Sequence, residues 1–311
     1  MAALNLLDIA KLSGKDEVVG IVEQNLNSAP EMKIFPFRAI PGTSYKTVLR
    51  TGLPSVSFRK VGASITASKS SFADKLVNAF SIGGLVQIPK DVAKAHSGGL
   101  AELQAIETSG LMLQKMLTVG TQVWYGTNTT YSGSSDGFPG ALQTYDSTNM
   151  VVDAGGTTAS TGSSCWLVKF GPQHVQMLVG DNGLLDLSDW RVETVSGVPS
   201  HMADLIGFMG CQFVNPYALC RIKKLTADSG KGLTDALIAQ ALAKFPVGVV
   251  PDAIFCSRRS RQQLQLSRSV VLNGPTNSGS GMQNIANVPM DAFGIPIYAT
   301  DSLLDTEALT L

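Results

Sequence analysis

The clearest periodicity in the chain follows Gly98 and Gly99. Leu103, Ile106, Gly110, Leu113, Leu117, Gly120 and Trp124 recur at alternating steps of three and four, which predicts a helix with one apolar stripe and two small-residue notches. Running to Tyr125 and stopped by Gly126, it would span roughly 35 to 40 Å at 1.5 Å per residue, long enough to act as a spine. Its stripe, Leu113 and Leu117 in particular, is expected to pack on a sheet built from residues 71–88 and 205–224. Elsewhere the pattern is mostly extended. Residues 45–51, 55–61 and 71–88 read as strands punctuated by Gly52, Pro54, Gly62 and Gly83. Between Arg59 and Ser71, Thr, Ser, Lys and Arg occupy both faces and large apolar groups are few. Such a long hairpin offers no convincing core face and is marginal without a partner.

Residues 165–170, 190–195, 205–214 and 217–224 form a second group of strand-like runs, expected to be antiparallel. The final third alternates helix 233–245, strand 249–256, helix 258–266, a loop at 273–288 and strand 295–300. Pro246 ends its first helix and Ser257 can cap its second. At the other end, short helical patterns at 4–12 and 16–26, the second led by Asp16 and Glu17, are cut off by Pro30 and Pro36. These pieces look like an arm that buries little by itself.

Composition sharpens this picture. With 311 residues and 44% hydrophobic content, the chain suits one or two globular domains, yet only 15% of residues are charged, below the usual share of about a quarter. Much of the surface is therefore weakly polar, and contact with other copies is one way to cover it. Lys plus Arg balances Asp plus Glu at 24 each, so no global field draws the chain to nucleic acid or acidic lipid. Cys165, Cys211, Cys220 and Cys256 are widely spaced, as expected of reduced thiols. No leader pattern and no apolar run of about 20 residues is present, and a soluble protein is expected.

Candidate chemistry is sparse. Gly133-Ser134-Ser135-Asp136-Gly137 fits the G-x-S-x-G pattern, but it lies in a Gly/Ser loop after a helix, where a nucleophile elbow needs a strand-to-helix turn. His96, His174 and His201 lack metal-ligand spacing. Asp181, Asp186 and Asp189 cluster without the Gly and Glu of a calcium loop. No nucleotide-binding motif is present, and no cofactor is expected. Arg258, Arg259, Arg261 and Arg268 form the densest positive cluster. The first two fall in a helix's first turn, where the dipole disfavours cations, so a carboxylate or phosphate should offset them. Arg221, Lys223 and Lys224 make a weaker cluster of the same kind.

Several segments together resemble the major capsid proteins of tailed bacteriophages, in a podovirus-type branch of the Hong Kong 97-type capsid family. Arg50-Thr51-Gly52-Leu53-Pro54-Ser55-Val56-Ser57-Phe58-Arg59 resembles that branch's entry into its extended loop. Phe138-Pro139-Gly140-Ala141-Leu142 is similar to the turn after the spine helix, and Phe293-Gly294-Ile295-Pro296-Ile297 followed by Thr300-Asp301 to a late strand. The resemblance implies an α+β fold with an amino-terminal arm (1–35), an extended hairpin loop (36–80), a peripheral domain (81–226) with spine helix about 99–125 and sheet strands 165–224, and an α/β axial domain (227–311). It also implies a non-enzymatic shell protein that forms hexamers and pentamers around double-stranded DNA. Its partners would be other copies of itself, a portal, a separate scaffolding protein, a decoration protein and, weakly, the packaged DNA, with assembly in the host bacterial cytoplasm. Arg50, Arg59, Lys60, Lys69, Arg258, Arg259, Arg261, Met282 and Ile285 are the expected intersubunit contacts, with the 273–288 loop at the capsomer axis. Lys60 and Lys69 match the lysine of a cross-link without a matching acceptor, so noncovalent assembly is expected. An encapsulin-like compartment shell, or a soluble hydrolase using Ser135, is the alternative.

Overall fold

The computed structural model describes residues 8, 12, 27–128, 137–180, 185–272 and 286–309. Their fold is mixed α and β, arranged as two six-stranded sheets, a separate two-stranded hairpin and a long helix. The first sheet contains β1 (Phe37–Ala39), β4 (Phe80–Pro89), β7 (Val175–Val179), β8 (Leu185–Leu187), β9 (Arg191–Val195) and β10 (Val198–Phe213). β10 is its backbone. Antiparallel β4 lines one edge from Ser200 opposite Pro89 to Met209 opposite Phe80, while β9, β8 and β7 follow one another along the other edge. β9 enters β10 through Ser196 and Gly197, both at positive φ, a turn whose twist suits a tight hairpin.

Three short helices, α1 (Glu31–Ile34), α2 (Lys90–Ala95) and α4 (Ala141–Thr144), flank the spine α3 (Gly99–Tyr125). At 27 residues the spine is about 40 Å long, and Gly126 closes it with its amide bonded to the Gln122 carbonyl, as the sequence predicts. The predicted stripe is buried towards its two ends, at Leu103, Gly120 and Trp124, and departs from expectation in its middle. Leu113 and Leu117 are only half-buried, and Leu117 looks toward Asn27, Asp301 and Ser302. Leu111 and Lys115 lie over the sheet instead. Gly84 in β4 leaves a notch under the helix: a Cβ there would stand 2.4 Å from Leu111. Polar Lys115 thus lies buried where hydropathy assigns solvent, while Thr118 stays exposed.

The second sheet runs β13 (Asp291–Ala292), β14 (Ile295–Ala299), β12 (Ala253–Cys256), β6 (Ser163–Val168), β11 (Leu219–Leu225) and β5 (Val151–Asp153). Helices α5 (Asp235–Leu242), capped by Thr234, and α6 (Arg258–Leu272), whose Ser260 amide bonds the Ser257 hydroxyl at 3.2 Å, pack on one face. The expectation of a single sheet holding 165–170, 205–214 and 217–224 is therefore corrected. Only the 205–214 run lies beside β4, whereas β6 and β11 pair with each other and β6 also with β12. β6 is buried on both faces and needs two covers. Cys165 and Leu167 lie in the core beneath α5 and α6, while Trp166 and Val168 meet the carboxyl end of the spine at Val119, Val123 and Trp124. Trp124 stacks on Trp166 at 5.8 Å between ring centroids.

The hairpin of β2 (Ser44–Gly52) and β3 (Ser71–Asn78) pairs antiparallel, from Ser44 opposite Asn78 to Arg50 opposite Phe72. The expected strand at 55–61 is absent, since no neighbouring strand offers it hydrogen bonds. The expected continuous run 71–88 breaks at Ala79, whose amide bonds the Thr43 carbonyl and lets the chain pass from the hairpin into β4.

Candidate assembly surfaces

The tip of the hairpin is the least covered part of the described chain. Val56, Phe58 and Val61 are 95%, 109% and 106% exposed, and Leu53, Ile65, Phe72 and Val48 are also open to solvent. Burying one such Val, Leu, Ile or Phe side chain is worth about 1.5 to 3 kcal/mol, so the chain alone leaves much transfer energy unused here. Interleaved with these groups are cations. Arg50 lies over the Phe72 ring at 5.6 Å, the Arg59 guanidinium donates to the Ala63 carbonyl, and Lys60 and Lys69 are exposed. Between residues 44 and 78 the single carboxylate is Asp74, which pairs with Lys46 at 2.6 Å. The tip is thus apolar and positive. The reading of this stretch as poor in large apolar groups missed Val56, Phe58, Val61 and Ile65; spaced among Ser, Thr and Lys, they line no one face.

The arginines at the start of α6 find their counter-charges within the chain. Arg258 pairs with Asp301, and Arg259 reaches Asp305 at 3.4 Å as well as the Thr161 and Leu225 carbonyls at 2.6 and 3.2 Å. Arg268 clamps Asp235 through two nitrogens at 2.7 and 2.8 Å. Arg261 has no ion pair among the described residues. The expected offset of the helix dipole's unfavourable end thus comes from Asp301 and Asp305 in the carboxyl-terminal segment. Met282 and Ile285, with the axial loop they belong to, lie outside the described residues.

Two buried carboxylates bind the chain's ends to the spine. Glu307, 5% exposed, accepts from Arg221 at 3.1 Å, from Ser164 at 2.5 Å and from the Tyr125 hydroxyl. Arg221 is buried too, its guanidinium over the Trp166 ring at 5.6 Å, and it stands apart from its half-buried neighbours Lys223 and Lys224, the latter paired with Asp153 at 2.7 Å. Burial and the adjacent Glu307 carboxylate push the Tyr125 phenol well above its ordinary range. Glu31 accepts the Trp124 indole N–H at 2.7 Å, and desolvation raises its pKa against the hydrogen bonds that lower it. Neither group stood out in the sequence, because each partner lies some 80 to 270 residues away. Breaking such a pair is costly, so these contacts hold the arm's end and the carboxyl-terminal segment in place.

Nothing assembles into a reaction centre among the described residues. His96 contacts Glu102 at 3.1 Å and His174 faces Asn215, while His201 lies on β10 opposite Ile88. No cluster of three or more His, Cys, Asp or Glu able to hold a metal occurs among them, and Ser135 and Asp181 lie outside them. All four cysteines are buried, and burial pushes Cys220 and Cys256 up to about 12. No described helix is long and apolar enough to cross a membrane.

Comparison with known proteins gives this architecture a family. A family model described as major capsid protein GP7 matches residues 14–196, more than half of the chain. The chain belongs to this family of phage major capsid proteins. A solved structure of bacteriophage Epsilon15 is similar at TM-score 0.72 and 16% identity, covering 99% of this chain and 98% of that one. The bacteriophage JBD30 capsid is similar at TM-score 0.50 and 13% identity over 97% and 99% of the two chains. No curated protein matches by sequence. The fold is accordingly the Hong Kong 97-type capsid fold, and the role of this major capsid protein is structural: it forms the shell of a phage head and resides in the virion. The family match favours that role over an encapsulin compartment or a hydrolase.

Proposed function

We propose that this capsid protein closes into hexamers and pentamers of an icosahedral head around double-stranded DNA. It does so in the host bacterial cytoplasm, without covalent cross-links, aided by a portal and a separate scaffolding protein, and a decoration protein is a further partner. Packaged DNA is held only weakly, in keeping with balanced charge. The first sheet with the spine is the peripheral domain, and the second sheet with α5 and α6 is the axial domain, its 273–288 loop at the capsomer axis. The observation that carries this reading is the uncovered hairpin tip, whose apolar and cationic side chains have no cover within the subunit. Arg50, Arg59, Lys60 and Lys69 on that hairpin, together with Arg258, Arg259, Arg261, Met282 and Ile285 of the axial domain, meet neighbouring copies. Expression of the chain with its scaffold, followed by negative-stain imaging, tests the reading. Closed particles of uniform size are expected, and persistent monomers would overturn it.

A further inference from the structure

Lys115 projects from the sheet-facing side of the spine, and its ammonium nitrogen is shut off from solvent with no hydrogen-bond or charge partner among the described residues. It is 9% exposed and lines a small cavity of about 110 Å³ between α3 and β4, with Ile82, Gly83, Gly84, Leu111 and Leu205. Through Ile82 and Thr118 this space adjoins a second one of about 240 Å³ walled mainly by Phe80, Phe138 and Met209. The missing side chain of Gly84 makes the room, since a Cβ there would stand 2.4 Å from Leu111. A hidden ammonium without a partner destabilises an isolated subunit, and desolvation lowers its pKa accordingly. A carboxylate entering the cavity would remove that defect, and the apolar walls beside it suit an acid carried on an apolar segment.

We propose that the Lys115 cavity is an acceptor site for a carboxylate of a second copy of this chain, filled when the shell closes. The inference rests on the shell-forming reading. The neighbour's hairpin tip cannot be the source, because residues 53–70 contain no acid. Asp91, Asp186 and Asp189 are exposed on the spine-and-first-sheet unit and form no ion pair among the described residues, which leaves them available to an adjoining copy.

The test uses purified shells, verified by electron microscopy and built from mixed light and heavy-isotope copies, treated with a carbodiimide. The reagent takes up the water released as an Asp or Glu carboxyl and the Lys115 amine form an amide. A mixed-isotope Lys115-to-acid peptide is expected in shells at least tenfold above dissociated subunits. In parallel, Lys115→Met should raise the unfolding midpoint of the isolated subunit and lower the dissociation midpoint of the shell. Intact shells whose stability is unchanged by Lys115→Met and which yield no coupled peptide would overturn the proposal while leaving the capsid reading intact. Coupling to a different protein, or a lower midpoint of the isolated variant subunit, would also overturn it. Failure to form any shell would instead remove the reading beneath it.

Discussion

The second sheet and the hairpin tip stand at opposite limits of self-sufficiency. β6 is buried on both faces, its neighbours supply two cores, and even its charges are matched, Arg221 by Glu307 and Arg259 by Asp305. Residues 53–70 have no secondary structure beyond a turn and leave Phe58 and Val61 wholly exposed. A monomeric protein would gain by trimming such a tip, since exposed apolar clusters invite association. Under the proposed assembly, stability and shell formation fall to different residues, and that division can be attacked from both sides.

The largest effect should come from the interior charge pair. Arg221→Ala leaves the Glu307 carboxylate buried without its cation, which should cost about 3 to 5 kcal/mol in the denaturant midpoint of the isolated subunit. Phe58→Ser, by contrast, should change that midpoint by no more than about 0.5 kcal/mol. It should still lower the yield of closed particles severalfold, as read by sedimentation.

A finer comparison concerns two positions of the same predicted stripe on the spine. Leu103 is fully buried, and Leu103→Ala should cost about 2 to 5 kcal/mol. Leu117→Ala, at a half-buried position, should fall below that range, and an equal loss would show the stripe to be buried through its middle as well as at its ends.

Smaller still is the pH effect at Glu31. Its folded pKa is raised above the ordinary 4.5, so the folded state holds the proton longer than the unfolded chain does. The associated stability is fully present below about pH 4.5 and is lost as pH rises through the folded value. Glu31→Gln should flatten this decline between pH 4.5 and neutrality, and a decline of unchanged slope would assign it to another group. The smallest change expected is none at all: the four cysteines, shielded and held as thiols, should fail to react with a thiol reagent at pH 8 until the subunit unfolds.

Much of this division was legible in the chain before its fold. Gly98, Gly99 and Gly126 bracket the spine correctly, and the lack of a core face around Arg59 to Ser71 agrees with a tip that stays exposed in the subunit. The sheet assignment was not legible, because which strand lies beside β6 depends on pairings more than 50 residues apart, between runs of similar local pattern. Nor was the middle of the spine's buried face. Gly84 on β4 makes room for Leu111, and Lys115 is buried beside it while Leu117 turns toward Asn27, Asp301 and Ser302. That Arg221 would be buried, and paired with Glu307, was not legible either, because the partner lies 86 residues further on. The axial residues Met282 and Ile285 fall outside the described residues, and their part in assembly remains a proposal.

The hairpin tip is expected to assemble shells without stabilising the subunit. The most direct test replaces residues 53–70 with a short Gly/Asn turn joining β2 to β3, then measures both the unfolding midpoint and particle formation of the variant. The midpoint should stay within about 0.5 kcal/mol of the parent, because the removed segment buries almost nothing, while closed shells should disappear from electron micrographs. Normal shells from that variant, or a subunit that no longer folds, would contradict the claim.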